Sequence, residues 1–390
     1  MAFAAGSQHG LRYGIQDAFG TPATEMTSLR HTSCSLVPPK RDGKESEELT
    51  TERQITDLAL GVKKVAGDFG FELSYGEFDA LMQALLGGTW AAAYNLTSQT
   101  VSVNSSTKKF SRSSGSFITD GVQVGDFITT TGFADAGNNG TFEVSVVAAL
   151  EITCATATGL VTVVGDTGVT ITTSTQKLEN GTTSRYFTFE RAFGDIVQYG
   201  AYQDIQVDSM DLEVKLEQKV KGKFGLIGSG VVTYSDTPID GSVTASQEND
   251  PYESFDGIIK IGGEAVAIVN GVDLKVANQG EADYVVLNNG DATAAQMNQL
   301  RFKLTGDLDL YFTDLTYHTL IMAGTESSLD IYFGTPASGL AYRIYLPRIK
   351  FTSLDDSVSN DKRIILKAPF QALRDDTTNK TMQVWCFPGA

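Results

Sequence analysis

Residues 65–88, VAGDFGFELSYGEFDALMQALLGG, read as one strand that passes directly into one short helix. Val65, Gly67, Phe69, Phe71 and Leu73 take every second position, and Asp68 and Glu72 fall on the opposite side. A side-chain period of two marks a half-buried strand. Ser74 and Glu77 form an S-x-x-E pattern, which predicts a capping box with Ser74 as the N-cap. Phe78, Leu81, Met82 and Leu85 follow at helical spacing, and Gly87-Gly88 predicts the stop.

The unit returns without a gap at residues 304–324, LTGDLDLYFTDLTYHTLIMAG. Gly306 matches Gly67, Asp307 matches Asp68, Thr313 stands in the place of Ser74, and Tyr317 in that of Phe78. Identity is low, but the residue classes agree, and the shared Gly-Asp, cap and helix length predict an internal duplication. Carboxylates occupy the polar face both times, Asp68 with Glu72 and Asp307 with Asp309.

The bulk numbers narrow the function. A chain of 390 residues, 41% hydrophobic and 20% charged, is expected to hold two or three soluble globular domains. A net charge of -17 opposes wrapping nucleic acid, which needs clustered Lys and Arg. Such a surface still suits a protein that must avoid sticking to DNA. Cys34, Cys154 and Cys386 lie far apart, so neither a disulfide framework nor a zinc site is expected. No signal peptide and no run of roughly 18 apolar residues is visible, so no membrane segment is expected.

Catalysis finds no motif. His9, His31 and His318 are the only histidines, none paired at metal-binding spacing, and neither G-x-S-x-G nor H-E-x-x-H occurs. The Gly-rich stretch at 225–230 lacks the lysine of a phosphate loop and reads as a strand end or bulge. Paired carboxylates would suit a glycosidase or calcium, yet the calcium-loop spacing is missing, and a solvated sheet face explains them better. No enzyme, no cofactor and no metal are expected.

Along the chain, residues 1 to about 30 read as an extended arm, 29–38 as a strand and 40–54 as an exposed charged loop. From 97 to 182 the composition turns to Ser, Thr, Gly and Val, predicting a small all-β domain inserted in the first repeat. Within it, 121–128 and 140–144 read as a hairpin about Asn138-Asn139-Gly140, and 161–164 and 169–172 as strands about a Gly-Asp-Thr-Gly turn. In the second repeat, 328–333 and 341–346 predict a hairpin about the turn at 334–339. Its counterparts are read as 90–96 and 186–190, with the insert at the hairpin tip. Residues 205–216 and 220–228 predict a strand pair, matched by 348–354 and 363–373, where Pro369 signals an edge or strand end. Residues 235–255 form a polar linker, and 259–276 open the second unit. The domains are thus 1–96 with 183–240, 97–182, and 250–390.

The phrases at 67–90 (GDFGFELSYGEFDALMQALLGGTW), 185–192 (RYFTFERA), 220–230 (VKGKFGLIGSG), 346–351 (LPRIKF) and 368–373 (APFQAL) resemble the tail tube, or major tail, proteins of long-tailed, non-contractile bacteriophages. The resemblance spans about 10–95 and 183–385. It implies a mainly β fold: two tandem β-sandwich or barrel tube domains, each with one flanking short helix. It also implies a structural virion protein of the tail, assembled in the host bacterial cytoplasm. Trimeric rings with pseudo-sixfold symmetry would stack into a hollow tube, bounded by tape-measure, tail terminator and distal tail proteins. Double-stranded DNA would pass through the lumen without specific binding, past Asp68, Glu72, Asp307 and Asp309. The arm and the 40–54 loop would touch the next ring, and the insert would face outward. The alternatives are the inner tube of a contractile or secretion-type injection machine, and a bacterial surface adhesive or carbohydrate-binding protein.

Overall fold

Strand Val65–Glu72 buries Phe69 and Phe71 and leaves Asp68 and Glu72 half-exposed. The Phe71 ring stacks on Phe224 at 4.7 Å and meets Phe78 at 4.5 Å. Each buried aromatic contributes roughly 1.5–3 kcal/mol. These rings fix the strand against helix Asp79–Leu86, whose Leu81, Met82 and Leu85 are buried and whose end is closed by Gly87 in the left-handed region. The computed structural model describes residues 3–388 apart from 50, 53, 123, 125, 156, 174, 267, 286–291, 336–338 and 358–362. Residues 123 and 125 of the expected hairpin and 336–338 of the expected turn therefore lie outside the described residues.

The capping box does not form. The helix starts at Asp79 after Phe78, and no side chain caps it. Glu77 instead accepts the backbone N–H groups of Arg30 at 2.8 Å and Gln247 at 2.7 Å, while Ser74 is buried with its hydroxyl unpartnered. Two charge-assisted bonds from distant segments outcompete the local cap. The second unit departs in the same way. Strand Lys303–Tyr311 buries Leu304, Leu308 and Leu310, but helix Thr316–Met322 begins after Leu315, and Thr313 does not cap it. There the Asp314 carboxylate accepts the Thr316 N–H at 2.8 Å.

Two long strands change partners midway and so join two layers. The early part of Gln198–Lys215 pairs with Tyr186–Phe193 and Val232–Ser235; its later part pairs with Lys221–Gly228 and Val269–Ala277. Ala341–Phe351 does likewise, first with Ser327–Phe333 and Gln383–Phe387, then with Ile365–Ala372. One layer is an unbroken ladder of Ser33–Cys34, Val65–Glu72, Lys221–Gly228, Gln198–Lys215, Val269–Ala277, Lys303–Tyr311, Ile365–Ala372 and Ala341–Phe351. The other layer holds His9–Gln16 between Thr27–Leu29 and Tyr186–Phe193, and Gly257–Ile261 between Glu264–Ala265 and Ser327–Phe333. A shared core fills the space between the layers.

The registers of the two halves coincide down to a bulge. Phe187 faces Ile205 and the next pair is Phe189 with Tyr202; Ser327 faces Ile349 and the next pair is Leu329 with Leu346. The 186–193 strand is therefore the counterpart of Ser327–Phe333, not of the second hairpin arm. His9–Gln16, within the expected extended arm, is likewise a sheet strand; Leu11 packs inward while Arg12 reaches Glu190 at 2.8 Å.

Between the first helix and Tyr186–Phe193 lies a closed six-stranded barrel, Asn95–Asn104, Lys109–Arg112, Phe127–Thr131, Gly140–Val147, Glu151–Cys154 and Val163–Thr173, around its own core. Val163–Thr173 is one irregular strand rather than two about a turn, because Gly165 and Gly168, both at positive φ, absorb the irregularity without ending the pairing. Gln176–Glu179 leaves the barrel and pairs with Ala91–Ala92 and Gln383–Phe387. The neighbouring anchor is Arg343, held by Asp330 through two 2.7 Å bonds and lying 4.6 Å over the Trp385 ring. Burial disfavours the Arg343 cation, and Asp330 outweighs that cost, with the barrel's Asp126 adding to it.

Candidate functional site

The ladder has one face on the core and one face open. Alternation places Asp68, Glu72, Asp307 and Asp309 together on the open face, as the sequence predicts. Lysines share it. Lys223 reaches Asp68 at 3.2 Å, Lys221 stands across from Glu72, and Lys367 across from Asp309. The middle of the ladder adds residues that sequence reasoning missed: Asp211, Glu213 and Lys215 on one strand, Asp273 and Lys275 on the next. Their alternation with Met210, Leu212 and Leu274 was the available signal. Lys303 and Lys350 fall on the same face, so on these strands seven carboxylates stand among seven lysines, and the surface is a weave of both signs near balance. Carboxylates crowd locally where Asp273 stands across from Asp307. Burial raises the pKa of Asp309 there; Lys367 opposes the shift, and Asp273 and Asp307 reinforce it.

Gly67 and Gly306 let the neighbouring segment of the sheet come close. A Cβ on Gly67 would sit 2.7 Å from the Ser35 carbonyl, and one on Gly306 2.5 Å from the Asp273 carbonyl. The two glycines serve the same close approach in both halves. Phe78, just before its helix, is buried and Tyr317, within the second helix, is half-buried, whereas Ser74 is buried and Thr313 exposed.

The ladder ends in two edges, Ser33–Cys34 on one side and Ala341–Phe351 with its continuation on the other. Unpaired edges offer backbone donors and acceptors to another chain. Beside them the structure exposes apolar groups. Leu315 and Met322 stand at the two ends of the second helix, and Gly43–Glu45, inside the expected 40–54 loop, pairs with Leu58–Leu60 beyond it in a hairpin that leaves Leu58 and Leu60 half out in solvent. Among the described residues no group of three His, Cys, Asp or Glu is arranged for a metal ion, and no helix is long and apolar enough to cross a membrane.

A two-layer β fold, a charged open face and matched free edges are the attributes of an assembling subunit. A model of the phage tail tube protein family matches residues 6–372. None of the curated proteins compared with the chain matches it. With that match covering nearly the whole length, the chain belongs to the phage tail tube protein family.

Proposed function

We propose that this structural virion protein closes as a trimer whose ring contains six tube domains, two per chain, and that these rings stack into the tail tube. The domains are 1–96 with 183–240 and 250–390. The insert assigned to 97–182 is best drawn as the 95–173 barrel and points outward. The carrying observation is the junction inside the chain, where Gln198–Lys215 pairs with Val269–Ala277. That is the last ladder strand of one half against the first of the other. Repeating the same junction between Ala341–Phe351 and its continuation in one copy and Ser33–Cys34 of the next closes the ring and leaves no edge.

In this arrangement the open face lines the channel. Its carboxylates, Asp68, Glu72, Asp307 and Asp309 among them, keep DNA phosphates from settling, and its interleaved lysines keep the repulsion shallow. DNA then slides without specific binding. Tape-measure, terminator and distal tail proteins are the partners such a tube requires, and assembly takes place in the bacterial cytoplasm. Electron microscopy of the concentrated protein, averaged down the long axis, tests the reading. Hollow tubes with three outer lobes per ring are expected; six lobes would refute two domains per chain.

A further inference from the structure

A chain of four groups ties the N-terminal segment to the free edge. Arg191 donates from Nε to His9 Nε2 at 3.1 Å, His9 Nδ1 and His31 Nε2 are 2.9 Å apart, and His31 Nδ1 lies 3.2 Å from the Leu29 carbonyl. The proton positions follow from the end groups. A guanidinium only donates, so His9 Nε2 accepts and its proton is on Nδ1. A carbonyl only accepts, so the His31 proton is also on Nδ1, leaving its Nε2 to accept from His9. Both imidazoles are neutral, and each has a partner on both nitrogens. A proton added to His9 would point at the Arg191 guanidinium. One added to His31 would point at the His9 N–H. Either addition breaks the chain.

The same guanidinium holds the edge segment, because Arg191 Nη1 donates to the Leu36 carbonyl at 2.5 Å. The Asp195 carboxylate accepts the Ala5 N–H at 2.5 Å, so the terminal segment is fastened beside the rings. The remaining charged or titratable neighbours are Cys34 on the edge segment, Asp68, which is engaged by Ser35 and Lys223, and Tyr202, which faces Arg191. A cavity of about 350 Å³ bordered by Ala4, Gly6, His9, His31 and Cys34 brings solvent to the rings.

We infer that the His9–His31 pair is an acid-released clasp, which holds residues 3–8 and 30–36 in the position on which the next copy docks. The docking role rests on the ring proposed above; the clasp itself does not. Burial first, then Arg191 and His31, pushes the His9 pKa down to about 4, from a usual 6.5. A base held neutral when closed favours the closed state above pH 6.5, and that preference drains away as pH falls from 6.5 towards 4.

Hydrogen exchange on dilute monomer tests the clasp, with protection corrected for intrinsic rates. Between pH 7 and pH 5, segments 3–8 and 30–36 should lose protection together by about 25-fold, the factor one such histidine supplies. In His9→Gln the amide keeps one acceptor and one donor but cannot titrate, and protection should stay flat. An unchanged wild type, or an equal loss in His9→Gln, would overturn the clasp. Nitrogen-labelled histidine spectra give a second reading, with Nδ1–H forms expected for both rings at pH 7; an Nε2–H form at His9 would overturn the proton assignment. Copies that never associate at neutral pH would refute the ring, and the exchange data would still decide the clasp.

Discussion

Asp355 pairs across the sheet with Lys367, in the place that Asp211 holds against Lys223 in the first half. One correspondence therefore runs through both bulges and continues past Phe351 into the free edge. Glu213, two residues beyond Asp211, pairs with Asp273 across the internal junction. Ser357 and Ser35 are the counterparts of these two residues. In the proposed ring, Ser357 of one copy faces Ser35 of the next. With Cys34→Ser as background, Ser35→Cys combined with Ser357→Cys should give covalent trimers under oxidation on a non-reducing gel. Monomer alone from assembled tubes would refute the register.

Glu77 should matter to folding more than any helix cap would. Its carboxylate is buried and satisfies two backbone donors from separate segments. Glu77→Ala is expected to cost about 3 kcal/mol, since both donors lose a charged partner. Urea unfolding would measure this. Thr313→Ala, at an exposed position that caps nothing, should fall within about 0.5 kcal/mol of the parent.

The Gly43–Glu45 and Leu58–Leu60 hairpin presents apolar side chains to solvent. Replacing Leu58 and Leu60 by Ser should leave the monomer's thermal midpoint within about 2 °C of the parent. Ring stacking should fail, seen as short particles in electron micrographs. Tubes of normal length would remove the hairpin from the stacking contact. Truncations at the N-terminus should stop before His9, because that residue opens a paired strand.

Neutralising Asp68, Glu72, Asp307 and Asp309 to their amides should leave assembly intact but make tubes retain DNA. Retention is expected to rise roughly fivefold at low salt and to vanish as salt increases, because the interleaved lysines then outnumber the remaining carboxylates Asp211, Glu213 and Asp273. Equal retention by parent tubes would place this face elsewhere. Asp309→Asn alone should stabilise the monomer slightly, on the order of 0.5 kcal/mol after solvent screening, since it removes a carboxylate that is first desolvated by burial and then crowded by Asp273 and Asp307.

Arg343→Met should leave the buried Asp330 carboxylate unpaired and cost about 3–5 kcal/mol. Faster proteolysis of the barrel's connections would report that it has come loose. Adding Asp330→Leu should restore most of the loss, since the uncompensated charge, rather than the missing pair, is the source of the cost. No recovery would point instead to the stacking of Arg343 on Trp385.

The sequence alone determined the organising strand and helix, their return at residues 304–324, the shared polar face and the family. These are local properties: a period of two, a helical stripe and a glycine stop act within a few residues of each other. Tertiary structure decided what the local pattern could not. Ser74 and Glu77 spell a capping box, but Arg30 and Gln247, remote in the chain, claim the carboxylate. His9–Gln16 shows too little periodicity to read as more than an extended arm, yet it is held by Tyr186–Phe193, whose pairing the barrel hides by separating that strand from the helix. The Lys223–Asp68 ion pair and the His9–His31 contact join residues from different strands. Their meeting depends on sheet register, which is fixed by packing the whole core and not by any one segment.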